Sequence, residues 1–386
     1  MKQMVKLSTF LMLFYFYANY NSISQPTGIR NNYTTDSGLK HLKIERSMIF
    51  IPGNEWLYSH HPSVIHFNNK FIAAWSNGLK DEDAPGQRVV FATSEDFLHW
   101  SVPRVLAVPS DYNKDTMNVL TAAGFHRFKD TLVAYFGEYS PYRTNTHLWA
   151  KISTDGEHWS KAKDMGIPVN PNHGPEAIAG GRLIISGNFT FPYTDDPTGL
   201  AGWNMSSFYP DSLYKEDNPA TFYAPASRSN LPPLCEGSFF QTDDGVLHTL
   251  LRVTGEGWKG KLWLTESKDR GLHWSNPHEA GFTDNDSKFH FGRLPDKRFY
   301  YAGIPDTLHH YSRTPLIVTV STDGLLFDRH YIVADETYTL KKEGLWKEGQ
   351  YGYPHTMVYG QYMYIIISRQ KEAIEIIRFK LDQLRE

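Results

Sequence analysis

The sequence predicts an all-β protein: a single β-propeller of four-stranded antiparallel blades, with seven blades favoured and six as the second choice. Three observations lead there. Four segments repeat one turn design, "SEDFLHW" at 94–100, "STDGEHW" at 153–159, "SKDRGLHW" at 267–274 and "STDGLLF" at 321–327. Their aspartates, Asp96, Asp155, Asp269 and Asp323, stand 59, 114 and 54 residues apart, so one period is skipped near residue 212. Short apolar strands split by polar turns precede each box, as in "SVIHFNNKFIAAWS" and "HTMVYGQYMYIIIS", and no helical period competes with them. Strand, turn, strand, loop, strand, box, strand is the plan of a propeller blade.

Each box carries its own turn chemistry. Ser and Asp side chains bond the turn backbone, Gly supplies a positive φ, and the closing aromatic plugs inward, which gives the boxes a structural role. About 360 residues after the leader divide into seven units of roughly 50, and the segment "KIERSMIFIPG" is a spare strand that can close the ring.

Ahead of the repeats, Lys2 and Lys6 precede an apolar run from Leu7 to Ala18. This pattern predicts a signal peptide over residues 1–25, a linker over 26–44 and a catalytic propeller over 45–386. The run is shorter than the roughly 20 residues of a membrane span, so a periplasmic or secreted protein with no membrane attachment after signal removal is expected. Cys235 is the only cysteine, which excludes an internal disulfide and suits export from a bacterium. A net charge of −3 gives no electrostatic case for nucleic acid, and a monomer is expected.

Blade geometry sorts the polar residues without coordinates. First-strand starts and the loops between second and third strands share one face, opposite the boxes. The starts contribute His60, His61, Asn118, His173, Glu236, Arg293, Tyr353 and His355. The loops contribute Asn77, Arg88, Tyr139, Tyr142, Arg143, His147, Arg252, Trp258 and Arg313. The acidic run "LKDEDAPGQR" reads as a solvated rim. Setting Pro354 over Pro62 puts Tyr353 and His61 in equivalent slots, and setting Pro175 over Pro62 puts His173 over His60. Proline is expected to hold the residue before it extended.

The boxes and these residues resemble the Asp-box propellers, a superfamily of sialidases and sialidase-like polysaccharide lyases and rhamnosidases. Against the sialidase pattern, Glu236 and Arg252 match its Glu and second Arg, Arg293 or Arg313 its third Arg, and Tyr353 its Tyr. The first Arg is missing, and His60 stands in its place. Segments such as "HHPSVIHF" and "YPHTMVYGQYMYIIIS" are similar to the lyases that attack ulvan-like polymers of rhamnose and uronate.

That resemblance implies a carbon–oxygen lyase acting by β-elimination at C4–C5 of a uronate in a poly- or oligosaccharide. His60, His61, Tyr139 and Tyr353 are the catalytic candidates, because neutral His is a base near neutral pH and Tyr can protonate a leaving oxygen. The arginines suit the carboxylate, and the remaining residues of the funnel are expected to bind substrate. Loss of a sugar makes the enzyme a lyase; loss of water makes it an oligosaccharide dehydratase. The alternatives are an α-L-rhamnosidase releasing rhamnose from glucuronate, a sialidase-like hydrolase using Glu236 with Asp81, Glu82 or Asp83, and a non-catalytic sugar-binding propeller. No cofactor is predicted. A structural metal ion is compatible, since His60, His173, His290 and His355 can gather around one axis, although no local zinc spacing supports it.

Overall fold

The computed structural model describes residues 28–35, 38–112, 117–140, 145–208 and 231–385. The expected signal peptide, Tyr142 and Arg143 lie outside them. Among the described residues no α-helix forms, and the architecture is a ring of antiparallel sheets.

Five sheets have the full four-stranded blade. The first runs Tyr58–Phe67, Lys70–Gly78, Arg88–Ser94 and Arg104–Ala107. The second runs Val119–Phe128, Thr131–Tyr139, His147–Ser153 and Lys163–Asp164. The third comprises Leu234–Gln241, Leu247–Val253, Lys261–Ser267 and His278–Thr283. In the fourth, His290–Arg293, Phe299–Gly303, Leu316–Ser321 and Arg329–Ala334 pair in that order. The fifth takes Gly352–Tyr359, Tyr362–Arg369 and Ala373–Lys380, and Ile44–Phe50 completes it as the outer strand.

Among the described residues five four-stranded blades form, not seven or six, which corrects the expectation drawn from length. Two facts account for the shortfall. Between the second and third blades the described residues make a three-stranded sheet of two-residue strands, Glu176–Ala177, Leu183–Ile184 and Tyr193–Thr194. Pro171, Pro175, Pro192 and Pro197 interrupt that region, and proline cannot donate to a ladder. Residues counted toward further blades are also spent on edges: Arg30–Asn31 pairs in parallel with Leu326–Phe327, and Lys40–His41 with the last strand of the fourth blade.

The boxes fold as their chemistry dictates. Asp155 Oδ1 accepts the backbone N–H groups of Glu157 and His158, both at 2.8 Å, and Gly156 turns at φ 75°. In the first box Phe97 occupies the same left-handed place at φ 73° and buries its ring completely. Apolar side chains from neighbouring blades then meet in shared clusters. Trp75, Val90 and Ala92 of the first blade pack with Tyr364, Ile366 and Ile376 of the last. Each such side chain contributes about 1.5–3 kcal/mol when fully buried.

Candidate active site

Two bulged strands aim the central residues. In the first blade the register runs from His60 opposite Ser76 to Ser63 opposite Ala74, and in the fifth from Gly352 opposite Ser368 to His355 opposite Ile366. A bulge re-aims the side chains it displaces. His61 and Tyr353 are the displaced residues, and each has φ 53° rather than the extended backbone expected before proline. Their rings meet edge to face, 5.2 Å between centroids and 70° between planes. Asp83, Asp286, Tyr311, Arg313 and Lys371 are also left-handed, and all but Asp286 line the same cavity. Such backbone strain concentrates where function fixes geometry.

The histidine pair is thereby divided. His61 lines a cavity of about 510 Å³, whereas His60 is buried behind Tyr353 with its Nδ1 2.6 Å from Ser368 Oγ. Burial holds the His61 pKa down to about 3 despite the nearby Glu82 carboxylate, so its imidazole is neutral.

At the cavity floor the Tyr353 hydroxyl donates a short hydrogen bond to Glu236 Oε1. Arg252 Nη1 donates to that hydroxyl at 2.8 Å and to Glu236 Oε2 at 2.7 Å, while its Nε bonds Asp286. Burial is the largest single influence and opposes the charge on Glu236, but the Arg252 guanidinium, the hydrogen bonds from Cys235 and Tyr353 and the nearby Lys288 together hold the carboxyl well below the usual carboxylate range. Burial, reinforced by Glu236, pushes the Tyr353 phenol well up. The result is a phenol kept protonated at rest beside a carboxylate kept charged.

Cations and carboxylates alternate around this couple. Lys371 bonds Glu82 at 2.5 Å, and the lysine holds the Glu82 pKa down to about 2 against the cost of burial. Tyr139 donates to Asp83 Oδ1 at 2.5 Å and shares a 3.0 Å bond with Thr121. Arg313 differs from the other cations: it is 4 % exposed, and its Nε and Nη1 have no hydrogen-bond partner among the described residues. A buried guanidinium with spare donors calls for an anion. Trp346, 68 % exposed, stands in the cavity lining.

The cavity thus gathers His61, Tyr139, Glu236, Arg252, Arg313 and Tyr353 from the predicted set. The other described members of that set lie outside its lining. Asn77 is buried against Tyr58 and Ser59 and accepts a bond from Arg88, which sits on the Trp56 ring. Asn118 bonds Glu138, and His147 bonds Asp164. Trp258 stacks on His310 at 3.9 Å. Arg293 is tied to Asp243, and of the two candidate arginines Arg313 lines this cavity. His173 and His355 line a separate cavity.

Sequence reasoning missed Lys371, Asp286 and the half-buried, paired state of Glu82. The acidic run around Glu82 points to solvent, and the Tyr58 hydroxyl that donates to Glu82 at 3.2 Å comes from a strand 24 residues earlier. Lys371 comes from 289 residues away and had no local signal.

The fold and site together define a sialidase-like propeller with a polar funnel on one face. Residues 69–365 match the family model of the BNR repeat-like domain, and the chain belongs to that family. No curated protein matches the chain in sequence. Among solved structures it is similar to a sialidase, at 16% identity and TM-score 0.61, over 92% of this chain and 35% of that one. A mutant Trypanosoma rangeli sialidase displaying trans-sialidase activity aligns at 11% identity and TM-score 0.63, over 90% of this chain and 60% of that one. The intramolecular trans-sialidase from Ruminococcus gnavus, in complex with oseltamivir carboxylate, aligns at 14% identity and TM-score 0.56, over 88% and 98%. The chain spans only about a third of the first sialidase, and at these identities the likeness is one of fold.

Proposed function

We propose that this chain is an exported carbohydrate-active enzyme that cleaves a glycosidic bond of a carboxylated sugar. The observation that carries the proposal is the Tyr353–Glu236–Arg252 constellation on the cavity floor. A phenol is a weak nucleophile until a base takes its proton, and Glu236 is placed to do so as Tyr353 Oη attacks the anomeric carbon. A tyrosine nucleophile departs from the two-carboxylate scheme in the manner known for sialidases. Asp83, hydrogen-bonded by Tyr139, is the candidate acid for the departing oxygen, and Arg313 offers its unpaired donors to the substrate carboxylate.

A second reading has its own observation. Neutral His61 faces the Tyr353 ring, so the pair can straddle C4 and C5 of a uronate and act by β-elimination, as in an ulvan-type lyase or a dehydratase. Low basicity at neutral pH applies to both readings, since His61 is held near 3 and Glu236 below the usual carboxylate range, and it does not separate them.

Incubation with rhamnose–uronate oligosaccharides and with sialosides decides between them. Release of a reducing acidic sugar without a rise in absorbance near 235 nm supports glycosyl transfer through Tyr353. A rise at 235 nm replaces it with elimination, and free rhamnose alone replaces it with rhamnosidase action. No product from either substrate class, with sugar still bound, would make the chain a binding propeller.

A further inference from the structure

A second cavity of about 260 Å³ crosses the axis and shares no lining residue with the first. Its walls are the first strands of the second, fourth and fifth blades and the loop before the three-stranded sheet. They bring His173, Glu176, His290 and His355 together. The three imidazoles stack, with centroids 4.6 Å apart for His173 and His290 and 4.8 Å for His290 and His355. One nitrogen from each lies within 4.8 Å of the others.

Three buried atoms here have no hydrogen-bond partner among the described residues: His173 Nδ1, His290 Nε2 and Glu176 Oε1. Three such orphans in one small cavity are costly unless something binds them. The far side of two of the imidazoles is held, and His355 Nδ1 accepts the Val64 backbone N–H at 3.4 Å. His173 Nε2 lies 3.1 Å from the Phe289 carbonyl, which fixes its proton there and leaves the Nδ1 lone pair free. His290 Nδ1 lies 2.6 Å from Thr356 Oγ1, which in turn contacts the Tyr300 hydroxyl at 2.7 Å. His290 Nε2 and Glu176 Oε1 are 3.6 Å apart, close to the ~3.3 Å between two ligands of a tetrahedral ion bound at about 2.0 Å.

We propose that this axial cluster binds one first-row divalent transition ion of the zinc class, through His173 Nδ1, His290 Nε2 and Glu176, with His355 as the third imidazole in reach. Outer hydrogen bonds of the Phe289 and Thr356 kind orient metal-binding imidazoles. The site requires His290 to donate from Nδ1 to Thr356 Oγ1. In the competing tautomer Nδ1 accepts the Thr356 backbone N–H at 3.0 Å, and Nε2–H then turns to Glu176 with no ion between them. Lys288, bonded to the Asn172 carbonyl, is the cation the ion must tolerate, and the Glu176 carboxylate offsets it. The ligands come from the three-stranded sheet and from two complete blades, so the ion would pin the least-paired part of the ring to its neighbours.

The test uses the full chain after dialysis against a chelator, titrated with zinc and separately with cobalt(II). Expected are one equivalent bound, the visible bands of four-coordinate cobalt, and a Tm raised by roughly 3 °C or more at a hundredfold excess over Kd. Glu176→Gln and His173→Asn should each weaken binding on the order of a hundredfold. Absence of binding, or binding unchanged in both variants, overturns the proposal. If the variants do not fold, zinc-soaked crystals of the native chain decide: an anomalous peak between His173 and His290 upholds the site, and a peak elsewhere or none removes it.

Discussion

The axis of the propeller carries two polar clusters built in opposite ways. Around Tyr353 the groups are charged and paired: Glu236 with Arg252, Glu82 with Lys371, Asp286 with Arg252. Around His290 the imidazoles are buried and stacked, with His173 and His355 held neutral, and the cluster carries orphaned nitrogens. Both clusters are buried, so burial alone does not set the protonation states. Counter-charge does, by holding Glu236 and Glu82 ionised where desolvation would otherwise neutralise them. The first cluster is suited to moving protons and receiving an anion, and the second to holding something with lone pairs.

The sharpest way to break this contrast is Tyr353→Phe. It should lower kcat by on the order of 10²–10⁴ with the fold kept, and a variant that retains turnover removes Tyr353 from the chemistry. Arg313→Ala should raise KM for an acidic sugar by roughly 10–100-fold, the value of a hydrogen bond to a charged group, and leave the methyl ester of that sugar unaffected. An equal effect on both would show that Arg313 only packs.

Acidification probes the paired cluster next. His61 titrates lower in the folded chain than unfolded, near 3 against about 6.5, so the unfolded chain binds more protons between those values. Its contribution to stability is complete above about pH 6.5 and is lost as pH falls toward 3; Glu82 adds a loss from about pH 4 toward 2. Tm measured from pH 7 to pH 4 should therefore fall, and His61→Gln should flatten the upper part of that slope. An unchanged slope would put the acid sensitivity elsewhere. The smallest effect is expected outside both clusters: His158→Ala removes an exposed ring from a box turn, yet the Asp155 backbone bonds remain, and Tm should not move measurably.

What the sequence revealed follows from how local each feature is. The box turns were legible because Asp155 bonds residues two and three positions away. The equivalence of His61 and Tyr353 was legible because each precedes a proline, although the sequence could not show which of His60 and His61 the bulge would turn inward. Blade number was not legible. It depends on Leu183–Ile184 stopping after two residues and on Lys40–His41 pairing near residue 331. Arg313 and Arg293 were equal candidates until Asp243 was seen to hold the latter.

The strand Ile44–Phe50 has a further consequence. It pairs with Ala373–Lys380, with Phe50 opposite Ile374 and Ile44 opposite Phe379, so the ring is fastened by residues from opposite ends of the chain. Ring closure must therefore wait until nearly the whole polypeptide has been synthesised, a late and long-range event of the kind that slows folding. An unlatched ring would also leave the edge of Ala373–Lys380 open to pairing with another molecule. Durability of the assembled protein then rests on non-covalent ties between distant parts of the chain, this seam foremost, and proteases or denaturants that loosen it will expose the last blade first.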